Sequence, residues 1–360
     1  MARNKNSNLH AAARAKKDEF YTQFEDIQNE LSRDDYWDFF RAKTVLCNCD
    51  DPYESEFFKY FAVNFNAIGL KKLIVTCYKG SPVVQTEFNF DTGGIIEPPR
   101  HRNEYAYKIV IPELRDWNGD GREDLDDIKH YVLNHGGCWE RLEGNGDFRS
   151  PECIAFLRQA DVVVTNPPFS LFREYVAQLM QFRKKFAIIA PMNAVTYKEI
   201  FPLIQQNKMW LGYGFKGGDP TFKVPPEYEE REYRFWIDAN GQKWRSFGNM
   251  TWFTNIPLRK YKEELPLYCE YSPELYPRYD NYDAIEVSKT ARIPMDYFGV
   301  MGVPITFLDK YNPEQFEIIW TSDRGGDGEI EWLKKPHERY DAPVIGGKGV
   351  YKRIFIRRRQ

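Results

Sequence analysis

One short stretch of the chain, DVVVTNPPFSLF at residues 161–172, holds residue types suited to chemistry on an amine. A run of β-branched residues predicts a buried strand, and Asn166, Pro167, Pro168 and Phe169 follow it directly. Proline has no backbone N–H, fixes its own φ and favours an extended conformation in the residue before it. The two prolines therefore predict a rigid arm whose carbonyls face outward without partners.

The Asn166 side chain would place an amide oxygen beside one of these carbonyls. Two acceptors spaced so that each receives one hydrogen of an exocyclic NH₂ group can bind that group. They bias its nitrogen toward tetrahedral geometry, with the lone pair free to attack. Phe169 offers a ring face for a planar heterocycle, and a base must leave its duplex to reach such a pocket. The alternative is an ordinary strand-to-helix turn in which Asn166 caps the next helix.

The elements that must position this arm alternate regularly along the chain. Short apolar strands are predicted at 43–48, 71–78, 108–114, 161–168 and 185–191, with helical patterns between them. This alternation indicates an α/β fold, a parallel Rossmann-like sheet with helices on both faces. Runs from about 205 to 255 are expected to add antiparallel strands to the sheet. Their tryptophans are expected in the core: Trp210, Trp236, Trp244 and Trp252.

Ligands of a doubly wound sheet bind beyond the carboxyl ends of its strands, so the residues delivered there are site candidates. The first strand delivers Asn48, Asp50 and Asp51 just before a helix N-terminus, where a carboxylate also compensates the helix dipole. The loop ahead of the 161–168 strand delivers Asp147 and Phe148. These five residues join the proline arm as candidates.

Three segments follow from the composition along the chain. Residues 1–17 are predicted to form a basic N-terminal arm, and 18–255 to form the domain of alternating strands and helices. Residues 256–360, which carry many prolines and tyrosines, are predicted to form a second, mixed α+β region.

The Asn-Pro-Pro-Phe arm resembles the catalytic motif of amino-methyltransferases that use S-adenosylmethionine. More specifically, the chain resembles the EcoRI-type adenine-specific DNA methyltransferases, through residues 18 to about 256. The stretches that carry the resemblance are DEFYTQ (18–23), CNCDDPYESEFFKYF (47–61), NGDFRSPE (145–152), GNMTWFTNI (248–256), YFGVMGVPITFLDKYNPEQFEI (297–318) and the C-terminal VYKRIFIRR. The motif order is like the gamma arrangement, which implies a methyltransferase domain at 18–255 and a target-recognition region at 256–360.

The resemblance implies transfer of a methyl group from S-adenosylmethionine to the 6-amino group of an adenine flipped out of double-stranded DNA. Asn166 and Pro167 would orient the amino group, Pro168 would stiffen the arm, and Phe169 would stack on the base. No general base is needed, because the nitrogen can lose its proton to water after transfer. The implied cofactor contacts are Tyr21 and Thr22 at the methionine part, Asp50 or Asp51 at its ammonium, Asp147 and Phe148 at the adenine, and Asn48 beside them.

Two departures from common Rossmann-like methyltransferases are visible. The loop after the first strand, CNCDDPYES, has no glycine, and the second strand ends in Thr76, Cys77 and Tyr78 without an acid for the ribose. EcoRI-type enzymes resemble this chain in the first departure, so inactivity does not follow. The residue that contacts the ribose stays unassigned.

Three alternatives to adenine methylation in DNA stay open at this point. The chain could methylate adenine in RNA or the 4-amino group of cytosine, although Asn-Pro-Pro-Phe rather than Ser-Pro-Pro-Tyr favours adenine. A DNA-binding or anti-restriction module with the same fold but no activity is the third alternative, and the missing glycine loop supports it.

A second motif, DWNGDGREDLDD at 116–127, has the oxygen spacing of a calcium loop, with glycine at the sixth position. Its candidate ligands are Asp116, Asn118, Asp120, Asp124 and Asp127. A structural rather than catalytic Ca²⁺ is expected. The alternative is an acidic, glycine-rich surface hairpin.

Charge and composition restrict the partners. The 360-residue chain has 50 basic and 53 acidic side chains, so any contact with double-stranded DNA must use local basic patches. The C-terminal KRIFIRRR and the N-terminal arm are the candidates. No apolar run reaches the length of a membrane helix, and the scattered cysteines lack metal spacing, so a cytoplasmic protein with reduced thiols is expected. We expect a monomer, with any cognate restriction endonuclease acting separately.

Overall fold

The computed structural model divides the chain into two compact units. The first consists of Met1–Pro191 and Tyr213–Ile256, and the second of Met192–Gly212 and Pro257–Gln360. Met192–Gly212 thus packs with the second unit, although it lies within the range predicted as the methyltransferase domain. The functions predicted for the segments remain predictions.

Parts of the chain are not described by the structure. The basic N-terminal arm lies outside the described residues, as do Asp50, Asp51 and Asp124. The described residues are 20–49, 55–78, 106–123, 125–134, 139–215, 220–224, 228, 230, 232–322 and 342–360.

Helices and strands alternate up to residue 191, and strands dominate afterwards. The described α-helices are α1 Phe24–Leu31, α2 Asp34–Phe40, α3 Glu56–Val63, α4 Phe65–Ile68, α5 Leu125–Asn134, α6 Pro151–Gln159, α7 Phe172–Gln181 and α8 Phe201–Gln205. The described strands are β1 Thr44–Cys47, β2 Lys72–Thr76, β3 Tyr107–Ile111, β4 Trp139–Arg141, β5 Val162–Thr165, β6 Lys185–Pro191, β7 Trp210–Leu211, β8 Thr221–Lys223, β9 Phe235–Ile237, β10 Lys243–Ser246, β11 Met250–Thr254, β12 Ile285–Glu286, β13 Met301–Val303, β14 Phe316–Thr321, β15 Val344–Ile345, β16 Lys348–Gly349 and β17 Ile354–Arg358.

The large sheet of the first unit runs β4-β3-β2-β1-β5-β6-β11 and is flanked by helices. Its four central strands, β2, β1, β5 and β6, are parallel, as predicted. Every residue of β1 and β5 is buried, because parallel strands are covered on both faces. The α/β, Rossmann-like fold class is therefore confirmed, and β11 adds the expected antiparallel strand beside β6.

The prediction of a parallel strand at 108–114 is wrong, because β3 runs antiparallel to both of its neighbours, β2 and β4, and β4 was not predicted as a strand. Burial in β3 alternates, with Lys108 and Val110 less buried than the residues between them. Lys108 forms an ion pair with Glu140 on β4 at 2.8 Å. One partly solvated face is typical of antiparallel strands, so the two strands lack the full cover of the centre.

The aromatic helix after β1 agrees with the prediction. Phe57, Phe58 and Phe61 on α3 are buried at helical spacing. The helix is capped by Ser55, whose side chain accepts a hydrogen bond from the Phe58 backbone N–H at 3.2 Å. Phe65, on α4, extends the buried stripe beyond the end of α3.

A smaller antiparallel sheet in the first unit has the order β8-β10-β9. Because strand residues alternate between faces, cross-strand neighbours share a face. One face carries Lys223, Trp244 and Trp236 in register, and the other carries Phe222, Arg245 and Phe235. We call these the tryptophan face and the arginine face.

The core prediction is wrong for both tryptophans of the tryptophan face, because Trp244 is only partly buried and Trp236 is exposed, and Trp210 on β7 is also only partly buried. Trp236 is 41% exposed and stacks on Trp244, with ring centroids 6.3 Å apart. Trp252, on β11 of the large sheet, is fully buried as predicted.

The second unit has a four-stranded sheet in the order β12-β13-β17-β14 and a β15-β16 hairpin. Tyr279, Tyr282 and Phe355 pack in its core. Glu286 and Arg353 form an ion pair there at 2.5 Å, with both side chains about nine-tenths buried. In the described parts of the two units, no helix has the length and apolarity needed to cross a membrane.

Candidate active site

The proline arm leaves the large sheet at the carboxyl end of β5, between β1 and β6. Pro168 is extended, with φ −54° and ψ 123°, and Phe169 begins a 3₁₀ turn that leads into α7. The Pro168 carbonyl accepts a hydrogen bond from the Leu171 backbone N–H at 2.9 Å. The prediction of unpaired outward carbonyls is therefore wrong for Pro168, which closes the turn instead. Pro167 is buried.

The Asn166 amide is fixed on one side and open on the other. Its Nδ2 donates to the Phe20 carbonyl at 2.7 Å and lies 3.3 Å from the Thr22 hydroxyl oxygen. These acceptors require the NH₂ end to face the N-terminal segment. Oδ1 is buried and finds no hydrogen-bond partner among the described residues. An unpaired buried acceptor costs about 1–3 kcal/mol, so its retention points to a ligand that donates.

The N-terminal segment reaches the arm because Tyr21 pairs with the smaller sheet. Tyr21 and Lys223 exchange two backbone hydrogen bonds, at 3.1 and 3.3 Å. This bridge places Phe20 and the buried Thr22 beside Asn166. The predicted cofactor contacts at the start of the chain and the predicted amine-binding arm are thus brought together.

Asn48, at the end of β1, has its side-chain oxygen engaged inside the protein. The Tyr175 hydroxyl of α7 donates to Asn48 Oδ1, and both side chains are buried. Asn48 therefore anchors α7 to the end of β1 in this structure. Its predicted contact with the cofactor is not tested by this arrangement.

Asp147 and Phe148 are held at the end of β2 by a tightly packed turn. Gly146 has φ +77°, and a Cβ there would lie 2.0 Å from the Cys77 carbonyl oxygen, so only glycine fits. Phe148 is buried and packs edge-on against Tyr175 with centroids 5.0 Å apart. The turn thus brings the predicted adenine contacts to the same sheet edge as Asn48.

The Asp147 carboxylate is paired with its near neighbour Arg149. Arg149 donates from Nε and Nη2 to the two carboxylate oxygens, at 2.9 and 2.8 Å. These hydrogen bonds hold the pKa of Asp147 below its ordinary value, against the smaller opposing effect of burial. Asp147 is therefore ionised at neutral pH and remains able to accept a further bond.

An aromatic wall that the sequence reasoning missed surrounds Phe169. Phe20 stacks on Phe169 with centroids 5.4 Å apart, and Phe247 contacts both rings, at 4.2 Å from Phe20 and 6.2 Å from Phe169. Tyr228 lies 6.0 Å from Phe20. Phe20 belongs to DEFYTQ, which contained this signal, whereas Phe247 lies one residue before GNMTWFTNI and outside the stretches quoted for the resemblance.

The acidic loop folds around its own backbone. Asp116 accepts from the backbone N–H groups of Gly119, Asp120 and Gly121 at 2.7–3.0 Å. The buried Asp127 accepts from the N–H groups of Trp117 and Asn118. In the described part of the chain, no three acidic, histidine or cysteine side chains are grouped as metal ligands.

The strand-end edge also shows polar atoms suited to an adenosyl cofactor. Gln178 on α7 donates through Nε2 to the Phe148 carbonyl at 3.1 Å, while its buried Oε1 has no partner among the described residues. The buried Thr76 hydroxyl at the end of β2 is likewise without a partner there. Hydroxyl and amino groups of a nucleoside can bond to such atoms, so these residues fit S-adenosylmethionine.

A Rossmann-like sheet with an Asn-Pro-Pro-Phe arm at its carboxyl edge defines an amino-methyltransferase that uses S-adenosylmethionine. A family model described as "Adenine-specific methyltransferase EcoRI" matches residues 8–359. The chain belongs to this family. It is a site-specific DNA adenine methyltransferase. This family membership favours adenine methylation in DNA over RNA methylation, cytosine methylation and an inactive DNA-binding module.

Full-length relatives agree with this assignment. The chain is 48% identical to the type II methyltransferase M.EcoRI of Escherichia coli, over 100% of this chain and 99% of the relative. It is 34% identical to M.MpnI of Mycoplasma pneumoniae, with 98% of each chain covered, and 33% identical to M.MgeORF184P of Mycoplasma genitalium, with 98% and 99% covered. No solved structure matches.

Proposed function

We propose that Asn166 Oδ1 and the Pro167 carbonyl accept the two hydrogens of the target adenine's 6-amino group. The observation that carries this proposal is the Asn166 amide, whose Nδ2 is fixed by Phe20 and Thr22 while Oδ1 is buried without a described partner. Two hydrogen bonds to the amine concentrate the nitrogen lone pair on the face away from both acceptors. The nitrogen then attacks along that face, and its proton leaves to water afterwards.

The aromatic wall would hold the flipped base. Phe169 stacks on the adenine ring, and Phe20 and Phe247 keep Phe169 in place through the ring contacts described above. The rings exclude water from the reacting amine, which strengthens the hydrogen bonds to Asn166.

S-adenosylmethionine supplies an electrophilic methyl group on a positively charged sulfur when it is bound. Asp147 and Phe148 would hold its adenine, and Tyr21 and Thr22 its methionine part. Asn48 lies beside them, and Asp50 or Asp51 would receive its ammonium group. The support is the shared edge of the sheet, where Thr22 contacts Asn166 and the Asp147 turn packs on β2.

We propose that residues 18–255 carry the chemistry and that 256–360 recognise the target sequence. In the C-terminal basic segment, Arg353 is committed to the ion pair with Glu286, whereas Arg357 is exposed on β17. Arg357 is therefore the better candidate for a DNA contact, and Arg357→Glu should weaken binding to duplex DNA while leaving cofactor affinity unchanged.

We propose a monomer, a cognate restriction endonuclease that acts separately, and a structural Ca²⁺ at 116–127. For the cation, Asp116, Asn118 and Asp120 keep free lone pairs beyond their bonds to backbone N–H groups. The calcium proposal is tested by comparing the Tm in about 1 mM Ca²⁺ with the Tm in about 1 mM Mg²⁺, since weak calcium loops bind in the range of about 0.1–1 mM. A rise in Tm with Ca²⁺ that Asp116→Ala removes would support it.

Methylome sequencing of a methylation-deficient host that expresses the chain tests the function. We expect 6-methyladenine at one recognition sequence, and none with Asn166→Ala, although this variant still binds S-adenosylmethionine. If Asn166→Ala methylates the same sites to the same extent, Asn166 is not the amine-binding residue.

A further inference from the structure

Arg245 is the cation at the centre of the arginine face. It lies on β10, in register with Phe222 on one side and Phe235 on the other. Its guanidinium lies 4.6 Å from the Phe247 ring centre and 5.4 Å from that of Tyr228. Contacts of this kind with aromatic rings hold a guanidinium in a fixed plane, so its unused N–H groups have a defined direction.

The hydrogen-bonding capacity of Arg245 is largely unused. Nη1 donates to the Tyr228 hydroxyl, while Nε is buried and finds no partner among the described residues. In the described part of the chain, no carboxylate forms an ion pair with this half-buried guanidinium, and its polar and ring contacts are to Tyr228 and Phe247. Buried charges are normally paired, because an unpaired one has lost hydration without compensation. Among the residues that the structure describes, the site therefore lacks an anion.

Phe247 connects this cation to the proposed base pocket. The ring lies against Arg245 and also contacts Phe20 and Phe169, and the Phe20 carbonyl accepts from the Asn166 amide. A nucleotide whose base reaches Phe169 and Asn166 brings its phosphate along, one sugar away from the base. The anion that must approach this wall during the reaction is thus part of the substrate.

We propose that Arg245 binds a phosphate oxygen of the DNA backbone next to the target adenosine and holds the extruded nucleotide in the pocket. The inference rests on the proposed role of Asn166 and names the group that secures the base there. Arginine suits this task because its fork of N–H donors matches phosphate geometry. The cofactor carboxylate is the other anion at hand, and the experiment separates the two.

Neutralising one phosphate at a time tests the contact. The probe is a duplex that carries the recognition sequence found by methylome sequencing, with a methylphosphonate at each phosphate flanking the target adenosine in turn. With S-adenosylhomocysteine present, the natural protein should lose roughly 10- to 150-fold in affinity at one position. Arg245→Gln should lose the same factor in affinity for the unmodified duplex. The methylphosphonate at the sensitive position should then cause no further loss in this variant. Its salt slope should fall by about 0.9.

Lys223→Gln is the matched control, because it removes one charge from the opposite face of the same sheet. It should keep the full sensitivity to the methylphosphonate. Arg245→Lys should recover part of the affinity, since it keeps the charge without the fork. Three outcomes would each overturn the proposal. Arg245→Gln could bind the unmodified duplex with wild-type affinity, or it could keep the full sensitivity to the methylphosphonate. It could also lose as much affinity for S-adenosylmethionine as for DNA. Asn166→Ala is expected to keep the phosphate contact, so failure of either proposal shows separately.

Discussion

Two buried asparagines at the carboxyl ends of adjacent strands differ in what their oxygens do. Asn48 follows β1 and Asn166 follows β5, and these strands pair in parallel. Asn48 Oδ1 accepts a hydrogen bond from Tyr175, whereas Asn166 Oδ1 has no partner in the described structure. Asn166 instead bonds through its NH₂ group, to Phe20 and Thr22.

The difference shows how one residue type serves two purposes at one sheet edge. The internal bond of Asn48 is satisfied within the protein, so it contributes to folding whether or not a ligand is present. The open oxygen of Asn166 lowers the stability of the free protein, because a buried acceptor lacks a donor there, and a donating ligand removes this loss. Stability should therefore depend on the first asparagine and turnover on the second.

Asn166→Ala should give the largest effect. It removes an acceptor used only when the amine is in place, so kcat should fall roughly 10²- to 10³-fold, the range for losing one preorganised hydrogen-bonding group. Steady-state kinetics on the cognate duplex measure kcat, and calorimetric titration measures the cofactor Kd, which should stay near the wild-type value. The Tm of thermal unfolding should change little, because the variant removes the unpaired oxygen but also the hydrogen bonds that Nδ2 makes to Phe20 and Thr22. A lowered Tm with normal kcat would reverse the roles assigned to the two asparagines.

Tyr175→Phe is the corresponding change at Asn48. It leaves Asn48 Oδ1 buried without its donor, which should cost about 1–3 kcal/mol. For a unit of this size the Tm should fall roughly 2–4 °C for each kcal/mol, measured by thermal unfolding. The kcat of the folded enzyme should stay within about threefold of the wild-type value, which is a smaller change than the loss of one catalytic hydrogen bond would give. A large loss of cofactor affinity at unchanged Tm would instead place Asn48 in the cofactor site.

The central strands and the proline arm could be predicted because their signals are local. An unbroken run of β-branched residues such as Val162–Thr165 predicts a strand buried on both faces wherever it pairs. Strand direction is not local. The Tyr107–Ile111 strand looked like the others, but it runs antiparallel, and only the alternation of Lys108 and Val110 with buried residues marks it.

The partners of the site residues could not be read from the sequence because they are distant along the chain. Asn48 bonds to Tyr175, 127 positions away, and Asn166 bonds to Phe20, 146 positions away. No spacing rule relates such positions, so the sequence predicted which residues reach the edge but not which protein groups bond to them. Arg245 was missed for the same reason, since its role depends on the ring of Phe247.

Thr22→Val should give a smaller effect that tests how the open oxygen is aimed. It removes the second acceptor of Asn166 Nδ2 and leaves the Phe20 carbonyl at 2.7 Å. The loss of one hydrogen bond should lower kcat roughly 2- to 12-fold. Thr22→Ser keeps the hydroxyl and should behave like the natural protein. If only the KM for S-adenosylmethionine changes, Thr22 contacts the cofactor and does not aim Asn166.

Asp147 should give the smallest effect, because its carboxylate is bonded to Arg149 and also free to accept from a ligand. Arg149 lowers its pKa below the ordinary 3.8, so any stability from this pair is complete above about pH 4 and is lost only as the pH falls through the lowered pKa. The cofactor affinity of the natural protein should therefore not change through titration of Asp147 between about pH 5 and 8, because this interval lies far above the lowered pKa of Asp147. Arg149→Gln removes the largest cause of the lowered pKa and should move the acid loss of cofactor affinity to a higher pH. Asp147→Asn should weaken cofactor binding at all these pH values if Asp147 binds the adenine, and should lower only the Tm if Asp147 serves the fold alone.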